Sequence, residues 1–322
     1  AQGSRAVPVP WTSTPRAMQV TLPVKLLLLV SFCAGSLLVA LRLHAAIRED
    51  ERLLEEGVPK GGEEELAPAI MINETDEKCP VGDRRGLFQP GGMDAVFERL
   101  LYFDEFEPTV LSRDPWLLQF DTLLSPKDCD DIIKEVDAAG YHDSLMWSGD
   151  PDHNVLWRNS SSFLCQDADA GYPLCSRYPG ITKLRKRMAS VLNVPLEHGD
   201  GMAILRYLTG GYYVYHHDYI PEPSNPQTFR NCGPRVMTFM VYLTPSGEDD
   251  GGETHFIQLG LKVQPKQGRA ILWPDTLAEA PLEKDDRTAH EAMKVHRGTK
   301  ICATQWFHQY YYSSNRQNLC CD

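Results

Sequence analysis

Residues 201–218 read GMAILRYLTGGYYVYHHD, two apolar and aromatic runs parted by Gly210-Gly211 and closed by His216-His217-Asp218. Branched and aromatic residues in short runs on either side of a diglycine fit strands joined by a turn. The pattern continues outward. Short β-rich runs occupy Ala203–Leu208, Tyr212–His216, Arg235–Leu243, Thr254–Ile257, Arg269–Trp273 and Lys300–Phe307. Turn signals separate them at Pro245-Ser246-Gly247, Asp250-Gly251-Gly252, Lys266-Gln267-Gly268 and Arg297-Gly298. Many short strands with Gly and Pro punctuation indicate a sandwich or jelly roll.

Helices are expected upstream. Ser125-Pro126-Lys127-Asp128 carries a capping serine, a proline in the first turn and an acid near the positive helix end. The helix Asp128–Ala139 places Cys129, Ile132, Ile133 and Val136 on one face, and Gly140 ends it. Ile181–Leu192 is amphipathic, and its run Lys183, Arg185, Lys186 and Arg187 reads as a solvated face. Met93–Leu101 has helical apolar spacing, and Trp116–Phe120 alternates like a strand. The catalytic domain is expected to span residues 115–313, followed by a tail over 314–322.

The N-terminal part sets the expected compartment. Leu26–Leu41 carries no charge and lies between Lys25 and Arg42, which can snorkel and lengthen an apolar span over residues 26–43. Residues 1–25 contain basic residues and no acid, whereas residues 44–114 begin as an acidic stalk rich in Glu, Gly and Pro. The positive-inside rule then gives a cytosolic tail, a single-pass type II signal-anchor and a lumenal catalytic domain, in the endoplasmic reticulum or Golgi membrane. Met18–Ala46 also resembles a signal peptide, and either reading translocates the remainder. Eight cysteines lie outside the apolar span: Cys79, Cys129, Cys165, Cys175, Cys232, Cys302, Cys320 and Cys321. An even number suits disulfides in an oxidising compartment, and Cys165 with Cys175, flanking a short polar loop, is the expected pair. Asn73-Glu74-Thr75 and Asn159-Ser160-Ser161 are glycosylation sequons. A formal net charge of -12 argues against a general nucleic-acid binder, since neutralising phosphates needs a basic face.

Strand alternation sends His216 and Asp218 to one side and His217 to the other. One imidazole and one carboxylate thus share a point, and one further histidine would complete a two-His-one-carboxylate set, the arrangement that suits non-haem iron(II). His255, His290, His296 and His308 are the candidates. Lys300 lies ten residues beyond His290, across the turn Arg297-Gly298, where its ammonium could reach the same interior and pair with a dicarboxylic co-substrate. Burying that lysine among Ile301, Ala303 and Trp306 would be costly without an anion. Tyr207, on the preceding strand, could donate a hydrogen bond to the same carboxylate.

Taken together, Tyr213-x-x-His216-x-Asp218, the turn Gly251-Gly252-x-Thr254, His290 with Lys300 at +10, and Trp306 six residues later resemble the prolyl 4-hydroxylase family of 2-oxoglutarate dioxygenases. The resemblance covers about residues 115–310. It implies an α+β, mainly β, double-stranded β-helix with flanking helices, and iron(II) held by His216, Asp218 and His290. It further implies 2-oxoglutarate held by Tyr207, Thr254 and Lys300, consumption of O2, L-ascorbate as reductant, and peptide contacts at Tyr213, Arg235 and Trp306. The implied partner is a proline-containing peptide or protein of the secretory pathway; oligomeric state is left open. Departures are His217, where an aromatic residue is familiar, Glu291 after the third ligand, a long segment from Pro221 to Pro234 and an acidic one from Trp273 to Arg287. These leave two other readings: hydroxylation of a lysyl or small-molecule lumenal substrate, and a non-catalytic lumenal binding module.

Overall fold

The computed structural model describes residues 86–144, 157–167, 171–222 and 226–312 of the protein. The expected tail, anchor and most of the stalk, the sequon at Asn73 and the C-terminal tail lie outside the described residues. Among the described residues no helix is long and apolar enough to cross a membrane.

The helices are α1 (Gly92–Leu100), α2 (Pro126–Ala139), α3 (Pro179–Leu192) and α4 (Pro226–Cys232). The strands are β1 (Pro108–Arg113), β2 (Trp116–Phe120), β3 (His142–Asp143), β4 (Arg158–Asn159), β5 (Ser161–Cys165), β6 (Gly199–Tyr207), β7 (Tyr212–His216), β8 (Arg235–Tyr242), β9 (Thr254–Phe256), β10 (Leu261–Val263), β11 (Ala270–Pro274), β12 (His290–Ala292) and β13 (Lys300–His308). They form a major sheet in the order β1-β2-β11-β8-β13-β6-β5-β3 and a minor sheet in the order β10-β9-β12-β7-β4. Every named strand pair is antiparallel, and the sheet order departs from sequence order except at β1-β2, β5-β6 and β9-β10. This is the two-sheet jelly roll expected from the sequence.

Alternation along the central strands divides the core in two. Met237, Phe239, Val241 and Leu243 of the β8 segment join Ile301, Ala303 and Phe307 of β13 in a large cluster that also takes in Ile132 and Val136 of α2 and Leu184 and Met188 of α3. The alternate residues Met240, Tyr242 and Cys302 pack instead with Tyr207, Phe256, Ala292 and Val295, in a smaller cluster between the sheets. One face of the major sheet is therefore backed by helices, and the other closes over an interior.

The local signals behave as their chemistry requires. Ser125 caps α2, its hydroxyl accepting from the Asp128 N–H at 3.2 Å. Cys165 and Cys175 form the expected disulfide, and Cys232 is also disulfide-bonded, while Cys129 and Cys302 are free and buried.

Two expectations need correcting. The folded body begins before Pro115: β1 pairs with β2, and α1 buries Met93, Phe97 and Leu100 in the large core. Phe97 stacks on Trp116 at 5.5 Å between ring centroids. The acidic stretch before α1 hid this boundary, because β1 is a half-exposed edge strand with an irregular register and a weak apolar pattern. The basic run of α3 is also not uniformly solvated. Arg185 is 3% exposed and bridges Asp167, the Gln305 side chain at 2.9 Å and the Asp200 carbonyl at 3.0 Å, while Lys183 and Lys186 are exposed. Removing the Phe97 ring is expected to cost about 3–5 kcal/mol, as for a buried aromatic in a packed core. Denaturant unfolding of Phe97→Ala checks this, and wild-type stability would show that α1 is not part of the body.

Candidate active site

The interior between the sheets holds the expected triad. β7 ends at His216, opposite His290 at the start of β12, and Asp218 follows in the turn after β7. One ligand atom from each of His216, Asp218 and His290 lies within 4.8 Å of the others, and among the described residues no other such group of His, Cys, Asp and Glu occurs. His216 Nε2 is 3.8 Å from Asp218 Oδ1, and His290 Nε2 is 3.9 Å from Asp218 Oδ2.

The surroundings fit these residues to a metal. His216 Nδ1 donates to the Val214 carbonyl at 2.8 Å and His290 Nδ1 to the Thr288 carbonyl at 3.1 Å. Each bond fixes the tautomer that leaves Nε2 as a lone pair facing Asp218. Burial lowers the pKa of both imidazoles, most strongly for His216, where the nearby His290 adds to it. Burial alone would raise the Asp218 pKa, but His290, His216 and Arg235 outweigh it and keep the carboxylate ionised. Two neutral imidazoles and one carboxylate form the donor set of an iron(II) site with open positions. The rings are held by packing: Tyr213 stacks on His216 at 3.6 Å, and Trp273 meets His290 edge-on at 4.9 Å.

The structure also decides between the histidines. His255 pairs with Glu291 at 2.8 Å and His296 is exposed. His308 is buried with Nδ1 on the Gly233 carbonyl at 3.0 Å. His217 points away from the triad, accepting from the Tyr219 N–H at 2.9 Å through Nδ1 and donating through Nε2 to the Asp285 carbonyl at 2.9 Å. It thus ties the ligand-bearing turn to the segment before His290. Glu291, the other departure, faces His255 rather than the triad.

Deeper in the interior, Lys300 is 3% exposed, and among the described residues no carboxylate lies within ion-pair distance of it. Its Nζ lies 5.3 Å from the Tyr207 ring centroid and 5.5 Å from that of Tyr242, and burial lowers its pKa. Tyr207 sits opposite Lys300 in the β6–β13 register. Thr254 Oγ1 lies 2.7 Å from the Tyr242 hydroxyl, which also lies 3.2 Å from the Val263 carbonyl. Gly251 and Gly252, at φ 72° and 80°, form the turn that delivers Thr254; a Cβ at Gly251 would meet the Lys294 carbonyl at 2.3 Å. Lys300 and Tyr207, two of the residues expected to hold 2-oxoglutarate, thus lie together, and Tyr242 links them to the third, Thr254. A dicarboxylate with one end at the triad and the other at Lys300 would neutralise the buried ammonium.

At the mouth, Arg158 lies over Tyr213 at 4.5 Å and Arg235 over Trp306 at 3.9 Å. Arg235 also pairs with the buried Asp200 at 2.7 Å. The Trp306 indole N–H rests against the Asp218 carboxylate without a well-formed hydrogen bond. Tyr213, Arg235 and Trp306, the residues expected to contact peptide, thus lie beside the triad. Arg158, Asp200, Tyr242 and Thr238, whose hydroxyl donates to Asp218 Oδ2 at 2.9 Å, were missed. Thr238 and Tyr242 had a signal, since both are polar and in phase on an apolar strand. Arg158, in a two-residue strand, had none.

The sequence comparisons with known proteins point to the same chemistry. Residues 202–308 match the model of the 2OG-Fe(II) oxygenase superfamily. Prolyl 4-hydroxylase 1 of Arabidopsis thaliana is 29% identical over 225 residues, covering 65% of this chain and 75% of that protein. The prolyl 4-hydroxylase subunit alpha-3 of Homo sapiens is 28% identical over 251 residues, covering 76% of this chain and 44% of that subunit. Among solved structures, the viral collagen prolyl hydroxylase from Paramecium Bursaria Chlorella virus-1, in its 2OG complex, is 25% identical with a TM-score of 0.45, covering 60% of this chain and 95% of that one. The chain is a 2-oxoglutarate-dependent dioxygenase, with Fe2+, 2-oxoglutarate and O2 as its implied cofactor and co-substrates and ascorbate as the reductant typical of such enzymes. Iron(II), when bound, would be held by His216, Asp218 and His290 and would supply the O2 chemistry that uses 2-oxoglutarate; the protein supplies the ligands, the buried ammonium of Lys300 and a dry interior.

The full chain is expected to bind one equivalent of Mn(II), and His290→Ala to weaken that binding more than about 100-fold, since losing a ligand exceeds losing its outer partner. Because both imidazole pKa values are lowered, binding should persist at about pH 6, where an ordinary histidine is largely protonated. Calorimetric titration checks both. An affinity that declines in step with an ordinary histidine would contradict the assignment of buried neutral ligands.

Proposed function

We propose that this dioxygenase hydroxylates peptidyl proline in proteins of the secretory pathway. The observation that carries the reading is the pair of cation–aromatic contacts bordering the triad: Arg158 on Tyr213 beside His216, and Arg235 on Trp306 beside Asp218. An extended proline-rich segment offers flat apolar rings for such aromatic faces and regularly spaced carbonyls for the guanidinium donors. The relatives are named prolyl 4-hydroxylases, which supports the same substrate class.

In this proposal the residues divide the work. Tyr213 and Trp306 hold the peptide against the mouth, Arg158 and Arg235 bind its carbonyl groups, and the triad lies at the depth reached by one ring. Lys300 anchors the co-substrate from the opposite side. A lumenal location is supported by the Cys165–Cys175 disulfide, by the disulfide at Cys232 and by the exposed Asn159 of the second sequon. Anchoring through residues 26–43 in the endoplasmic reticulum or Golgi membrane is part of the proposal and rests on the sequence alone.

Incubating the full chain with iron, 2-oxoglutarate, ascorbate and a proline-rich peptide is expected to add the mass of one oxygen atom to proline, located by fragmentation mass spectrometry. Arg158→Ala should raise the KM for the peptide about tenfold, equivalent to ~1.4 kcal/mol, with the KM for 2-oxoglutarate unchanged. Oxygen found on lysine, or on no residue of any proline-rich peptide, would overturn the prolyl assignment.

A further inference from the structure

Beside the triad lies a second carboxyl group that none of the roles above uses. Asp275 directly follows β11 and is 0% exposed. The pairing of β11 with β8 sets Trp273 opposite Thr238, and the Asp275 N–H donates to the Val236 carbonyl at 2.8 Å. Here the Thr238 hydroxyl stands between two carboxyl groups, with its Oγ1 at 2.9 Å from Asp218 Oδ2 and 2.8 Å from Asp275 Oδ2.

Hydrogen counting decides the protonation. A hydroxyl has one hydrogen, and an ionised carboxylate only accepts. If both carboxyl groups were ionised, one contact of hydrogen-bond length would contain no hydrogen, and two anions would face each other in a water-excluded interior. Two such contacts need two hydrogens, so one carboxyl must be protonated. Asp218 is not that group, because a carboxylate that serves as a metal ligand is ionised. Asp275 has the opposite surroundings. Among the described residues no Lys or Arg pairs with it, and the Trp273 indole N–H rests against it without a well-formed hydrogen bond. Burial, followed by the nearby Asp218 charge, pushes its pKa well above the usual carboxylate range, against the opposing pull of Thr238, Arg235 and Trp273.

We infer that Asp275 is a neutral carboxylic acid donating to Thr238, that Thr238 donates in turn to Asp218 Oδ2, and that this relay presents Asp218 Oδ1 to the metal. The inference rests on reading the triad as a metal site. Asp275 is a positioning residue, acting on the ligand through Thr238. The direction of the relay matters. If Asp275 took the hydrogen, the lone pairs of the hydroxyl would face Oδ2 and turn the carboxylate away from the orientation that the two histidines require.

Infrared difference spectroscopy of the full chain near neutral pH tests the proton. The carbonyl stretch of a protonated carboxylic acid is expected in the wild type, shifted in D2O and absent in Asp275→Asn. Mn(II) titration tests the relay. Asp275→Asn should bind like wild type, because its carboxamide donates as the acid did. Thr238→Val should bind about 10–100-fold more weakly, as for loss of a ligand's outer partner, and Thr238→Ser should restore binding. No acid band, a band that survives Asp275→Asn, or wild-type Mn(II) affinity in Thr238→Val would each overturn the inference. Failure of the wild-type chain to bind Mn(II) would instead overturn the metal reading itself, and the infrared band separates the two failures.

Discussion

An ammonium group taken out of water costs several kcal/mol unless a counter-charge or a well-made hydrogen-bond shell replaces its hydration. Lys300 sits under that constraint. Two tyrosine faces lie 5.3 and 5.5 Å from its Nζ and offset part of the cost, but no carboxylate among the described residues pairs with it. A buried ammonium without a counter-charge calls for an anion. In the proposed function the triad would take the chelating end of a keto acid and Lys300 the carboxylate at the far end, with Tyr207, Tyr242 and Thr254 beside the lysine. The fold supplies this arrangement because β13, which carries Lys300, pairs with β6 and β8, which carry the two tyrosines.

The helical layer keeps that sheet in place. Arg185 of α3 reaches through the layer to the Gln305 side chain of β13, and Gln305 donates to the Asp200 carbonyl at 2.6 Å. Asp200 then holds Arg235, which lies over Trp306 at the mouth. Burial would raise the Asp200 pKa, yet the charge of Arg235 overrides it and keeps the carboxylate ionised. A chain of buried polar contacts thus runs from the helix through Gln305 and Asp200 to Arg235.

Much of this was legible in the amino-acid order, and the reason lies in strand length. Tyr212–His216 was read with both ends correct, and Lys300–Phe307 falls one residue short, because strands of five or more residues give alternation room to show. The α2 cap was legible from Ser125 and Pro126, which act locally. β10 and β12, at three residues each, carry no usable period, so His290 could be chosen only through the spacing to Lys300. Arg158 and Asp275 were invisible for a different reason: their neighbours in space come from strands distant in sequence. The buried Arg185 was misread because a charge on an amphipathic helix looks solvated until its partner, Asp167, is placed.

Lys300 and the metal are proposed to act as two ends of one binding site. The direct measurement compares 2-oxoglutarate with 2-oxobutyrate, which keeps the chelating keto acid and lacks the distal carboxylate, on metal-loaded wild type and Lys300→Met without oxygen. The expected result is at least about a tenfold preference for 2-oxoglutarate in the wild type, ~1.4 kcal/mol, lost in Lys300→Met while 2-oxobutyrate binding stays unchanged. Equal affinities in the wild type, or a preference that survives Lys300→Met, would contradict it.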